Sequence, residues 1–283
     1  MIAFFGTGML GTGFVRALRK RGETVHVWNR TLEKAKKLED AGAVVFDDPA
    51  AAAKGAERIH LSLNDDASVD DVLAKTSPTR DQIIVDHTTT SATGTKARVE
   101  RHDAQGIRFV HAPVFMGPQN AHDSTGLMLV CGARDRVDAV KPHLEKMTGK
   151  LVDLGERVDA AAAYKLFGNC FLMFFTSGLA EVFTLARAVD VDPKEAATLF
   201  QHFNPGNLIG ARIDRMLGAD WAKASWELSM ARKDARLMLE EGERGGHPLH
   251  FLPAIAARMD ELIARGHGAS DWTVIAKDAV EPK

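Results

Sequence analysis

Six residues near the start constrain this chain more than any other feature. Gly6-Thr7-Gly8-Met9-Leu10-Gly11 fits the pattern G-x-G-x-x-G. It follows the apolar run IAFF and opens a helix-like run, Met9 to Lys20. Each glycine has its own task in such a turn: Gly6 for the tight bend, Gly8 for close approach of a pyrophosphate, Gly11 for close helix–strand packing. The helix start adds free N–H groups and the positive end of its dipole. In this strand–turn–helix context the pattern predicts a dinucleotide site built on Gly6, Thr7, Gly8, Met9, Leu10 and Gly11.

A second strand-like run, TVHVW, ends about twenty residues on. There an NAD site offers Asp or Glu to the ribose hydroxyls. This chain carries Asn29-Arg30-Thr31 instead. Asn29 does not repel a 2′-phosphate, Arg30 can pair with one, and Thr31 can donate a hydroxyl hydrogen bond. The segment therefore predicts NADP. The competing reading makes Asn29 a turn residue and Arg30 a solvated loop arginine.

Short apolar runs and helical patterns alternate up to Gly155: RIHLSL, QIIVDH, IRFVHAPV, LMLVCG and KLVDLG are the later ones. That alternation points to an α/β half with a largely parallel sheet covered on both faces. The late strands are the candidates for antiparallel additions. From Asp159 to Val189 there is no proline and little turn chemistry, which predicts one helix roughly 45 Å long. So apolar a helix reads as buried in an interface. Asp192-Pro193-Lys194-Glu195 is a helix start signal, with Asp as cap and Pro in the first turn. Helical patterns continue to the end. The predicted division is 1–156, a dinucleotide-binding α/β domain, and 157–283, an all-helical domain for substrate and oligomerisation, with the long helix between.

Composition narrows the class. The chain has 283 residues and a net charge of −2, so nothing in its charge favours nucleic acid or an anionic membrane. The two cysteines, Cys131 and Cys170, sit in apolar surroundings, which suggests a reducing cytosol rather than a disulfide framework. No metal-ligand spacing appears, and the eleven histidines are scattered. The apolar run at Cys170–Phe175 is far shorter than the ~20 residues of a membrane span. The expectation is a cytoplasmic protein with no nucleic-acid, membrane or metal partner.

Two further stretches carry chemical groups. YKLFGN places Lys165 and Asn169 at i and i+4, on one face of an otherwise apolar helix. RKDARL, at residues 232–237, is charged enough to be a solvated face. With the glycine turn, VWNRT, DHTTTSA and HAPV, these segments resemble, in order and spacing, the β-hydroxyacid dehydrogenase family over essentially the whole chain. That family includes 3-hydroxyisobutyrate dehydrogenase and the glyoxylate/succinic semialdehyde reductases, and WNRT and GASDWTVIAKDAV look most like the latter. The resemblance implies a Rossmann domain followed by a helical domain that forms a homodimer or homotetramer. It implies Lys165 as general acid/base, with Asn169 holding the lysine or the substrate. It places Thr89 near the nicotinamide and substrate, Leu63 and Asn64 on the cofactor, and Lys233 reaching back to the cofactor. The implied reaction interconverts a carbonyl, semialdehyde or keto acid, and a hydroxy acid.

The chain departs from that family where a substrate carboxylate is bound. After Ala112-Pro113-Val114 the family has Ser-Gly-Gly or Ser-Gly-Ser, whereas this chain has Phe115-Met116-Gly117. Phe115 brings no hydroxyl, and Met116 restricts a backbone that glycine left free. Two readings stay open: main-chain groups near Phe115, Met116 and Gly117 still bind a carboxylate, or the pocket is larger and more apolar. Two other functions also stay open, an imine reductase acting on a more apolar substrate and a non-catalytic NADP-binding module.

Overall fold

The computed structural model describes residues 1–281. Two compact units divide the chain, Met1–Cys170 and Phe171–Lys283.

In the first unit strands and helices alternate. They are β1 (Ile2–Phe5), α1 (Met9–Lys20), β2 (Val25–Trp28), α2 (Leu32–Lys36), β3 (Val44–Phe46), α3 (Pro49–Ala53), β4 (Arg58–Leu61), α4 (Asp66–Thr76), β5 (Ile83–Asp86), α5 (Ala92–Ala104) and β6 (Arg108–His111). The six strands pair in parallel in the order β3-β2-β1-β4-β5-β6. This is the Rossmann order, whose direction switches between β1 and β4. Successive side chains leave a strand on opposite faces. Ile2 and Phe4 of β1 accordingly enter one core layer with Phe14, Val15 and Leu18 of α1, and Ala3 and Phe5 enter the other with Ile59 and Leu61. A strand buried on both faces needs such an unbroken apolar run.

The run at residues 107–114 is not one strand. It breaks at Ala112-Pro113, and β7 (Val114–Phe115) joins a second sheet with β8 (Leu127–Val130) and β9 (Lys150–Asp153). Proline offers no N–H to continue a central ladder. β7 runs antiparallel to β8, while β8 and β9 are parallel. Helices α6 (Pro118–Asp123) and α7 (Arg134–Leu144) fill the connections.

The long helix, α8, spans Ala160–Ala188, within a residue of its predicted ends. The division of the chain into the two units falls within this helix, at Cys170/Phe171, later than the strand patterns alone suggest. The sequence boundary marked where strand patterns stop, but the first turns of α8 still pack on the N-terminal unit: Ala160 and Ala161 join Leu129 and Cys131 in one apolar cluster. By length and composition α8 is also apolar enough to cross a membrane. The judgement from Cys170–Phe175 alone is corrected here, because Gly168, Asn169, Thr176 and Ser177 interrupt the apolar run without adding charge. Much of this surface is exposed in the single chain, Phe167 at 65% and Phe174 at 69%.

The second unit continues with α9 (Pro193–Ala197), α10 (Leu199–His202), α11 (Ile209–Gly218), α12 (Leu228–Arg244), α13 (Leu252–Leu262) and α14 (Lys277–Val280). Asp192 caps α9 through the Lys194 N–H, as its sequence signal predicts. Leu228, Ala231 and Ala235 of α12 pack with Ala256, Met259 and Leu262 of α13. Asp271 is fully buried there, held by Arg215 at 2.6 Å and by the hydroxyls of Ser225 and Thr273. These partners keep its carboxyl well below the usual range despite the burial.

Candidate active site

The glycine turn sits at the carboxyl end of β1, beside the topological switch point. Gly6 has φ +92°, and a Cβ there would lie 2.1 Å from the Ser62 carbonyl oxygen. A Cβ on Gly11 would lie 1.9 Å from the Gly6 carbonyl oxygen. Gly8 differs, since nothing stands within 4 Å of its Cβ position. Its missing side chain leaves an open approach to the start of α1, whose first turn contains no acidic residue. Beside it the Thr7 hydroxyl is buried without a hydrogen-bond partner among the described residues. An open N-terminal turn and an unspent donor fit a pyrophosphate.

A cleft of about 180 Å³ runs from Gly6 and Gly8 past Asn29, Arg30 and Thr31 to Leu63 and Asn64. Asn29 has a bracing role. Its Oδ1 accepts from the Thr7 N–H at 3.0 Å and its Nδ2 donates to the Thr31 carbonyl at 2.9 Å. It ties the glycine turn to the end of β2. Arg30 and Thr31 are exposed at the cleft, and Lys34, from the first turn of α2, joins them. Reading the motif alone missed Lys34. The signal was its spacing, since a residue three beyond Thr31 on a helix returns to the same face.

A second cavity, about 420 Å³, begins where the first ends. Gly8, Met9 and Leu10 form one wall, Ser62, Leu63 and Asn64 another, and Thr89, Val114, Met116 and Lys165 close it. The structure thus brings Lys165 of α8 to the same space as the loops after β1, β4 and β5. Thr88, next to Thr89, is spent on architecture: its hydroxyl accepts from Leu63 N–H at 3.0 Å and its own N–H donates to Asp86. His87 also lines the cavity. Its Nδ1 donates to the Ala112 carbonyl at 2.7 Å, so its Nε2 accepts from His60 Nδ1 at 3.0 Å. Burial holds His87 down to about 4 and His60 well below its ordinary value, so both rings are neutral near pH 7. Their scatter in sequence hid this pair, because parallel strands β4 and β5 bring them together.

Lys165 is 8% exposed and has no ion-pair partner among the described residues. Burial lowers its pKa from the ordinary lysine value. Its Nζ lies 4.1 Å from the centre of the Phe115 ring. Tyr164, the next residue, is 53% exposed and turns to Phe167, as the helical rotation between neighbours requires.

In the loop after β7, two main-chain positions offer no free donor. The Gly117 N–H donates to Asn120 Oδ1 at 2.9 Å, and Pro118 has no N–H. Met116 faces the cavity, backed by Gly126 at φ +84°, where a Cβ would lie 2.8 Å from Met116 Cγ. Phe115 does not line the cavity, and neither does Asn169, one turn beyond Lys165. Lys233 belongs to the helical unit, on α12, ion-paired with Asp234 at 2.9 Å.

The profile of the NAD-binding domain of 6-phosphogluconate dehydrogenase matches residues 1–155. The chain is similar to an uncharacterized oxidoreductase of Bacillus subtilis, YfjR, at 26% identity over 98% of both chains. It is similar to 3-sulfolactaldehyde reductase of Escherichia coli at 25% identity, over 97% of the chain and 94% of that protein. It is 29% identical to the human cytokine-like nuclear factor N-PAC and spans about half of it, 48%. Among solved structures, a reductive aminase from Aspergillus terreus in complex with NADPH4, cyclohexanone and allyl amine shares the fold, with a TM-score of 0.91 at 20% identity over 98% of each chain.

Proposed function

The chain belongs to the β-hydroxyacid dehydrogenase-like family that carries the 6-phosphogluconate dehydrogenase NAD-binding domain and is an NAD(P)-dependent oxidoreductase, and we propose that it uses NADPH to reduce a carbonyl group set in an apolar skeleton. The observation that carries this reading is Lys165, buried without a counter-ion at the wall of a cavity continuous with the glycine turn.

The cofactor end supports NADPH. Arg30, Thr31 and Lys34 offer two cations and a hydroxyl to a 2′-phosphate, with Asn29 in place of an acid. Gly8 and the first N–H groups of α1 would hold the pyrophosphate, and Leu63, Asn64 and Thr89 the nicotinamide end. When bound, reduced nicotinamide supplies a hydride to the carbonyl carbon. Negative charge then grows on the carbonyl oxygen, and Lys165 stabilises it and donates a proton from Nζ. In the reverse direction the neutral amine accepts the hydroxyl proton. A lysine depressed by burial exchanges that proton nearer neutral pH than an exposed one.

The loop after β7 sets the substrate class. With Gly117 N–H occupied by Asn120, proline at 118 and Met116 at the wall, a carboxylate beside the reacting carbon would lose its hydration and meet an apolar side chain where the family pattern has glycine. The second reading, an imine reductase, shares this apolar loop. It fits less well because a protonated imine is a cation and Lys165 supplies a like charge. A second copy of the chain is the fitting cover for the exposed apolar residues of α8, giving a soluble cytoplasmic homodimer or homotetramer. NADPH and NADH oxidation across short ketones, semialdehydes, 2-oxo acids and cyclic imines tests the reading. Turnover of ketones or aldehydes with NADPH is expected, and turnover of imines alone contradicts it.

A further inference from the structure

The sequence raised Phe115 as a substrate residue, yet its ring faces the helix that carries the lysine. Two independent pieces of geometry hold it there. First, Lys165 Nζ stands over the ring face, 4.1 Å from its centre and within cation–π range. Second, the ring occupies a slot that α8 leaves at Gly168, where an added Cβ would lie 2.3 Å from the ring's far carbon, Cζ. Lys165 and Gly168 are three residues apart on one helix face. The glycine therefore seats the ring and the lysine lies across it. Leu127 pairs with Phe115 across the β7–β8 ladder and packs behind it.

We infer that Phe115 is a positioning residue for Lys165: seated against Gly168, it presents its ring face to Nζ and holds the amine at the cavity wall. This deepens the reductase reading by explaining a residue that departs from the family at this position. An amine at a desolvated wall without a counter-ion has two ways to escape, swinging to solvent or losing its proton. The ring face opposes both, because its quadrupole favours the ammonium in that one place. The groups facing Lys165 leave the ring as its main electrostatic partner. His87 across the cavity is neutral. β7 and the start of α1 bring no charged side chain to the cavity. Asp65 and Asp66 follow the Asn64 wall, with Asp66 taken by Arg98 and Asp65 by Ser68, and Asp159, just before α8, is paired with Arg157.

The test reads the lysine directly, so it stands whether or not a substrate is found. Lysine labelled with ¹³C and ¹⁵N is titrated by NMR in the intact protein, with the Lys165 signal identified by its loss in Lys165→Met. Phe115 is replaced by phenylalanines carrying one, three and five ring fluorines, which drain the ring quadrupole at nearly constant shape. The expected result is a stepwise fall in the Lys165 midpoint, reaching about one pH unit with the pentafluoro ring. Phe115→Leu gives a fall of similar size, and Gly168→Ala, which pushes the ring from its slot, moves the midpoint in the same direction. A midpoint that stays constant across the fluorinated series makes Phe115 a packing residue only and overturns the inference, as does a midpoint that rises.

Discussion

The two ends of the cofactor groove are built in opposite ways. The phosphate end is nearly continuous in sequence: Gly6 to Gly11 and Asn29 to Lys34 are two turns joined by one helix and one strand. The reacting end is assembled from the loops after β1, β4 and β5, the loop after β7 and one turn of α8. The first keeps the residues that a dinucleotide demands. The second keeps the lysine but carries Phe115 and Met116 after Val114. Cofactor chemistry is fixed by one ligand, so its cradle is constrained. Substrate selection has no such single ligand to satisfy.

The contrast predicts that damage at one end leaves the other intact. Lys165→Met should have the largest effect, lowering turnover about 10²- to 10⁴-fold, the contribution expected of a positioned acid. NADPH affinity, measured by fluorescence titration, should stay at the parent value, because no phosphate contact is touched. Loss of NADPH binding in that variant would break the separation. Arg30→Ala should do the reverse, weakening NADPH roughly 10- to 100-fold, as expected for a charge-assisted phosphate pair, with NADH affinity and the maximal rate unchanged.

Acid should act on the reacting end's support before it acts on the phosphate end. His87 and His111 are held to about 4 and His60 is also lowered, all by burial of the charged ring. An unfolded histidine takes its proton near pH ~6.5. Between that value and about 4 the unfolded chain therefore binds more protons, and stability falls as pH falls, by up to ~1.4 kcal/mol per pH unit for each ring. Asp86, raised to about 6 by burial, works the other way, because the folded state takes its proton first and stability returns as pH drops below that value. Three rings outweigh one carboxyl. The melting temperature should drop by about 10 °C between pH 7 and 4.5, and by less in His111→Asn. The smallest effect belongs to Lys34→Ala. An exposed point charge should cost NADPH about 2- to 5-fold in affinity, again without changing NADH.

The same contrast decides how much was legible before the structure. The alternation of strands with helices and the extent of α8 follow from local patterns, apolar runs of four and a proline-free helix, so they could be read directly, whereas the strand order could not. Asn29 shows in the sequence as the absence of an acid, but its bond to Thr7 needs two segments in contact. His60 and His87 meet only because β4 and β5 are neighbours. Phe115 was the least legible, since its partner Gly168 looks like an idle glycine in a helix until the ring is seen against it. Local chemistry shows in sequence order, whereas side-chain partnerships across the fold do not.

The central proposal is that Lys165 faces a cavity that disfavours a carboxylate beside the reacting carbon. The direct measurement is NADPH oxidation with a matched pair, pyruvate and 3-methyl-2-butanone, in which an isopropyl group replaces the carboxylate at nearly equal size. A carboxylate that gives up its hydration against Met116 loses several kcal/mol, so the ketone should show a kcat/KM at least ~10-fold higher. A higher kcat/KM for pyruvate would contradict the account and restore an anion site at Phe115–Gly117.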